Sequence, residues 1–379
     1  MAKLGEICTV VSGTTPKTNV PEYWNGNINW ITPAEIDEST IIIISSQRKI
    51  TLAGVKSCGL TPFPAGTVIL SSRAPIGKTA IAGTEMYCNQ GFKNLICGEQ
   101  IYNKYLFWFL RNNTQYLQSL GRGATFKEIS KAIVENIEIP LPPLPEQRHI
   151  AAVLDKVSEL IALRKRQLDL LDEMVKARFV EMFGDLVVNE KGWILKPLND
   201  VCDVRDGTHD SPKYVDNGYP LLTSKNFTQG FVDFTNANLI DENDFNSINK
   251  RSKVDVGDIV MPMIGTIGSP VIIYTNQPFA IKNVALIKFS KSSLINIFVK
   301  EVLSSRYFFY RVQENNRGNA QKFIALGDIR RLLMPIPPIE LQSQFADFVQ
   351  QVEKSKATVQ QGLERLNLLK SALMQEYFG

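Results

Sequence analysis

Several loops of this chain gather the residue types that grip or read a polyanion. In the first half, Thr14, Thr15 and Lys17 follow a glycine, Arg73 and Lys78 flank a second glycine turn, and Arg122, Thr125 and Lys127 accompany a third. The second half offers Thr208, His209 and Lys213, then Lys225 and Asn226, then Arg317, Asn319, Gln321 and Lys322. Arg, Lys, Asn and Gln can bond base edges, while Lys, Arg, Ser, Thr and backbone amides take phosphates. Taken singly, each of these positions reads equally well as ordinary solvated surface.

Other chemistry finds little material. Ser72-Arg73-Ala74-Pro75-Ile76-Gly77-Lys78-Thr79 imitates a phosphate-binding loop, but Ser72 stands where the first glycine belongs and Pro75 interrupts the loop. Its counterpart, Met263-Ile264-Gly265-Thr266-Ile267-Gly268-Ser269, has no lysine, so the shared element is a glycine turn. Adenine methyltransferases carry Asp or Asn, then Pro-Pro, then an aromatic residue; here Pro142-Pro143 precedes Leu144 and Pro337-Pro338 precedes Ile339. The two histidines, His149 and His209, give acid-base catalysis little to work with, and His149 reads as solvated on a helix. Asp241-Glu242-Asn243-Asp244 has no partner in the first half and reads as a solvated turn, not a metal site. The five cysteines are scattered, without a Cys-x-x-Cys pair, and read as packing residues. The chain reads as non-catalytic, with no metal and no cofactor of its own.

The loops belong to a duplicated frame. Ile139-Pro140-Leu141-Pro142-Pro143-Leu144-Pro145-Glu146-Gln147 returns as Met334-Pro335-Ile336-Pro337-Pro338-Ile339-Glu340-Leu341-Gln342, and a shift of 195 positions also carries Ala177 onto Ala372 and Phe183-Gly184 onto Phe378-Gly379. Each half opens alike, with Leu4-Gly5-Glu6-Ile7-Cys8 against Leu198-Asn199-Asp200-Val201-Cys202, followed by a turn at Gly13 to Lys17 or Gly207 to Lys213. Gly66-Thr67-Val68-Ile69-Leu70 and Gly257-Asp258-Ile259-Val260-Met261 each predict a turn feeding a strand. Ile101 to Leu120 and Ile295 to Val312 each predict one amphipathic helix. Each half is thus a mixed α/β domain.

Two long helices complete the frame. From Glu146 to Phe183 there is no Gly or Pro, and Leu154, Ile161, Leu168, Val175 and Met182 fall seven apart; Phe345, Val352, Val359, Leu366 and Leu373 do the same in the second helix. This is the seam of a coiled coil. Lys356 and Lys370 in one helix, and Arg164 and Arg178 in the other, make the two stripes complementary and not identical. The expected layout is a first domain over 1–145, a spacer helix over 146–184, a second domain over 185–339 and a second helix over 340–379, paired antiparallel about a pseudo-twofold axis. A helix of this length spans about 57 Å, or at most about 17 base pairs.

A chain of 379 residues holds two cores comfortably. The richest aromatic run, Tyr102 to Leu110, is too short for a bilayer and is broken by Lys104, and no signal-peptide stretch follows Met1, so a cytoplasmic location is expected. A net charge of +4 permits a polyanionic partner without demanding one.

Two related domains, each followed by a proline tract and a long helix, resemble the DNA-specificity subunit of type I restriction-modification enzymes. The resemblance spans nearly the whole chain and is most specific over Pro140 to Asp155; the second copy departs, with Glu340-Leu341-Gln342 in place of Pro-Glu-Gln. It implies target-recognition domains that each read one half of a split, asymmetric site on double-stranded DNA, with the helices fixing the gap. It further implies two methyltransferase subunits carrying S-adenosylmethionine, and restriction subunits using ATP and Mg. On that reading, Arg317→Ala with Lys322→Ala alters one half-site only. Two alternatives stand beside it: a duplicated coiled-coil scaffold that does not recognise DNA, and an enzyme, such as a nuclease, with a dispersed site.

Overall fold

One sheet order is laid down twice. The computed structural model describes residues 1–73, 75–123, 127–228, 230–264, 269–290, 292–315 and 324–379, and the chain divides into two compact units. The first unit is Met1–Lys165 with Gln361–Gly379, and the second is Arg166–Gln360. In the first, strands run Cys8–Ser12, Lys93–Cys97, Val68–Leu70, Thr79–Ala82, with Ile42–Ile43 added parallel at the edge. In the second, Asp203–Asp206, Val284–Lys288, Ile259–Pro262 and Val271–Ile272 follow the same order with the same antiparallel pairings. Val68-Ile69-Leu70 and Ile259-Val260-Met261 are buried along their whole length, as a central strand covered on both faces must be.

A second sheet repeats as well. Trp24–Ile31 lies between antiparallel Lys49–Ile50 and parallel Tyr87–Cys88; Tyr219–Leu222 lies between antiparallel Asn238–Ile240 and parallel Ala280–Ile281. After each of these central strands comes a tight turn closed by one side chain. Thr32 N–H donates to Glu35 Oε1 at 2.8 Å, and Thr223 N–H donates to Asn226 Oδ1 at 2.9 Å.

Where one amphipathic helix per half is expected, the fold has two in succession. They are Asn103–Asn112 with Thr114–Ser119, and Asn296–Ser304 with Arg306–Asn315. The breaks fall at Asn113 and at Ser305, whose backbone leaves the helical region at ψ 165°. The first piece of each pair packs its apolar residues into the core: Tyr105 to Leu110 are buried in one, and Ile297, Phe298, Val299, Val302 and Leu303 in the other. Asp241 to Asp244 also differ from expectation. Asp241 caps the helix Glu242–Ser252 by accepting the Asp244 N–H at 2.8 Å, and acidic side chains suit the positive end of the helix dipole.

The long helices are Leu144–Phe183 and Ile339–Phe378, 40 residues each. Within the second unit Asp172 meets Lys356 at 2.8 Å, whereas Phe179, further along, meets Phe345, further back, at 5.4 Å between ring centroids. The helices are therefore antiparallel there. In the first unit Ile150, Ala151 and Leu154 share a core with Met374 and Phe378, which has the same sense. Most of the heptad positions predicted from sequence face inward: Leu154, Ile161, Val175, Phe345, Val352 and Val359 are buried. The charged members of the stripes are accommodated individually. Lys356 pairs with Asp172 and Glu353, and the Lys370 ammonium sits 4.8 Å over the Trp108 ring. Phe179, Phe183, Phe298 and Phe345 interlock where the helices meet the second unit's globular part, and each such burial stabilises by about 1.5–3 kcal/mol.

Candidate nucleic-acid interface

The glycine-led turns of the two units occupy equivalent places. In the first, Thr14 N–H donates to the Cys88 carbonyl at 3.1 Å; in the second, Thr208 N–H donates to the Ile281 carbonyl at 2.9 Å. Each turn thus crosses the end of the short parallel strand. No side chain fits at the crossing, since a Cβ on Gly13 would fall 1.9 Å from the Cys88 oxygen and one on Gly207 would fall 2.4 Å from the Ile281 oxygen.

Different anchors hold the two turns. Indole N–H groups hold the first: Trp30 donates to the Thr14 carbonyl and Trp24 to the Lys17 carbonyl, each at 3.1 Å, with the two rings edge to face. Thr15 half-buries its side chain and donates to Gln90 Oε1, while Lys17 is exposed. In the second turn Thr208 is buried and accepts the Asp210 N–H at 3.1 Å. Here charge does the anchoring. His209 places Nδ1 2.8 Å from Asn283 Oδ1 and Nε2 2.8 Å from Asp206 Oδ2, and Arg251 reaches both Asp206 Oδ1 at 3.1 Å and the Gly207 carbonyl at 3.0 Å. The bonds to Asn283 and to the Asp206 carboxylate raise the His209 pKa above its usual value, against the opposing charge of Arg251. Thr208, His209, Asp210, Ser247, Ile248 and Arg251 line an open depression beside this cluster.

The remaining predicted residues separate into two kinds. Arg73 lies beside the Gly91 turn and 3.9 Å from Glu128, and Arg122 pairs through its backbone with the same Glu128, so these segments lie together. Lys127, Arg122, Lys213 and Lys225 are exposed. By contrast, Lys78 Nζ donates to the Pro33 carbonyl at 2.9 Å, and buried Asn226 spends its amide on Thr223 and on the Asp233 carbonyl. Those two side chains hold loops in place. The Gly77 turn also uses its own amides: Gly77 N–H bonds the Ser71 carbonyl and Lys78 N–H bonds Ser71 Oγ, leaving neither for a phosphate. Thr125, Arg317, Asn319, Gln321 and Lys322 lie outside the described residues. Thr15 and His209 contact Gln90 and Asn283, which carry no motif and are brought to them only where the turn crosses the strand end.

Among the described residues no cluster of three or more His, Cys, Asp or Glu side chains could hold a metal, and no helix is long and apolar enough to cross a membrane. All five cysteines are free thiols, with Cys8, Cys88 and Cys202 buried.

Two mixed α/β units with one frame and different loop side chains, joined by paired long helices, define a duplicated recognition scaffold. The family described as type I restriction modification DNA specificity domain matches residues 1–173 and again 190–368, and the chain belongs to that family. It is 29% identical to the type I restriction enzyme MjaIX specificity subunit of Methanocaldococcus jannaschii, over 98% of this chain and 90% of that protein. Among solved structures, a chain from a study of complex assembly and conformational transition in the type I R-M system superposes with a TM-score of 0.65 at 21% identity, covering 100% of this chain and 96% of that one. The type I restriction-modification S subunit from M. genitalium gives 0.58 at 13%, covering 100% and 95%. These two likenesses concern the fold.

Proposed function

We propose that this chain is the DNA-sequence specificity subunit of a type I restriction-modification complex, and that it performs no catalysis itself. Each unit reads one half of a split, asymmetric site on double-stranded DNA, and the paired helices set the gap. Two methyltransferase subunits dock on it and bring S-adenosylmethionine, and restriction subunits bring ATP and Mg. The complex works in the cytoplasm.

One observation carries this reading. The sheet order, the turn-crossing bonds and the threonine-led turns agree between the units, while the exposed side chains on that frame differ. Duplication for stability or symmetry alone has no need of divergent loops on a common frame; reading two different sequences does. The modest charge is also consistent, because partner subunits can supply much of the phosphate contact.

Affinity capture of the tagged chain from its native cytoplasm tests the proposal. Recovery of an adenine-specific DNA methyltransferase at about two copies per chain, as two equivalent docking frames predict, supports it. The captured complex then methylates a split site. Reproducible recovery of the intact chain without a methyltransferase overturns it in favour of a scaffold.

A further inference from the structure

We infer that each unit carries one base-reading carboxamide, held ready by a side chain of the neighbouring turn: Gln90 gripped by Thr15 in the first unit, Asn283 gripped by His209 in the second. This rests on the DNA-recognition reading above and names the residues through which it would operate.

The argument begins with the crossing of turn and strand end. Because Thr14 and Thr208 bond the carbonyls of Cys88 and Ile281, the next turn residue is delivered to the second residue beyond each strand. Thr15 therefore meets Gln90, and His209 meets Asn283. The backbone around the two pairs is the same, down to the bonds that continue the parallel pairing: Asn89 N–H to the Ile31 carbonyl at 3.1 Å and Lys282 N–H to the Leu222 carbonyl at 2.8 Å. All four side chains of the pairs differ, yet both pairs end in a carboxamide.

That shared chemistry has a use. A carboxamide matches adenine through two hydrogen bonds in the major groove, and its separate donor and acceptor can address other base edges. In both pairs the turn side chain meets the amide oxygen, so the NH2 group is not the atom spent on the turn. Gln90 and His209 are exposed and Asn283 is half-exposed, so no core packing accounts for them. Asn283 holds a backbone φ of 55°, a conformation that favours asparagine among residues with side chains. Cations suited to phosphate stand beside both positions: Arg73 packs against Gly91, and Lys282 precedes Asn283 and bonds Ser211 Oγ at 2.7 Å.

The test uses the assembled methyltransferase complex and reads the modified sequence by genome-wide mapping of methylated adenines. Gln90→Ala and Asn283→Gly are compared with the unaltered chain, glycine being chosen because it tolerates positive φ. Gln90→Ala is expected to lower discrimination about tenfold or more at a base in one half-site, leaving the other half intact. Asn283→Gly should do the reverse. Gln90→Asn keeps the amide and shortens its reach, and Asn283→Asp keeps a side chain that tolerates positive φ while replacing the NH2 donor; they should shift preference at the same bases, and they serve if the truncations fail to assemble. Unchanged base preference in assembled variants, or equal changes in both halves, overturns the assignment. An unaltered complex that modifies no split site would instead overturn the recognition reading beneath it.

Discussion

Gln147 Oε1 accepts the backbone N–H of Tyr102 at 2.8 Å, while its amide nitrogen donates to the carbonyls of Gln100 and Pro142 at 2.9 and 2.8 Å. Gln342 repeats the arrangement, accepting the Ile295 N–H and donating to the Pro337 carbonyl, both at 2.9 Å. Both side chains are almost fully buried. Each fastens the proline tract and the first turn of a long helix to the domain before it. Gln147→Ala or Gln342→Ala strands buried backbone groups and should cost about 1–3 kcal/mol of stability. Urea unfolding followed by far-UV circular dichroism measures this, and a loss below about 0.5 kcal/mol would mean water replaces the amide.

Lys288 is buried in the second unit with Asp258 at 2.5 Å and Asp255 at 2.9 Å. Lys288→Met leaves the buried Asp258 carboxylate without its cation and should destabilise by about 3–5 kcal/mol, whereas Lys288→Met with Asp258→Asn should recover much of that. Asp255 adds a pH response. Lys288 holds the Asp255 carboxyl below its usual pKa of 3.8, so this contribution is present above that value and fades as pH falls through the lowered one. Lys288→Met should weaken the acid-side decline of stability, as thermal scans across that range would record.

His209 titrates above the ordinary histidine value of 6.5, held there by Asn283 and Asp206. Because its folded pKa is raised, its charged-state contacts are complete below the unfolded value and are lost as pH rises through the folded one. Asn283→Gly and Asp206→Asn should each lower the pKa. Imidazole NMR signals report it directly, and His149→Gln removes the other histidine from the spectrum. Identical titration in all variants would show that the bonds to Asn283 and Asp206 do not persist in solution.

Gly362 sits within the second long helix, where a Cβ would lie 3.8 Å from Arg164 Nε, an ordinary contact. Gly362→Ala should therefore fit and should stabilise the protein by about 0.5–1 kcal/mol through helix propensity. A lowered melting temperature would indicate that Arg164 needs the space.

The frame was legible in the sequence because its signals are local or periodic. Proline tracts, heptads and glycine-led strands all declare themselves within a few residues, and the repetition of each confirms the other copy. The breaks at Asn113 and Ser305 were not legible, since the apolar spacing continues through them and only the depth of the core decides where the helix bends. The candidate interface was legible only as residue types in loops. Residue type singles out Thr15 and His209 as candidates, but the side chains they contact lie 75 and 74 positions away and meet them only through the turn crossing. Residue type alone likewise does not show that the Lys78 side chain bonds a carbonyl and that of Asn226 a tight turn.

The first unit is closed by residues 361–379, whereas the second is a single run of chain. Met374 and Phe378 fill a core with Tyr105 and Leu154, and the Phe378 ring packs tilted against that of Tyr105 with centroids 5.2 Å apart. A ribosome delivers these pieces in a fixed order. The unit translated second can therefore finish folding first, while the unit translated first waits with part of its apolar surface uncovered until the last helical turns emerge. Its long wait makes the leading domain the one most exposed to aggregation and most in need of a chaperone during synthesis.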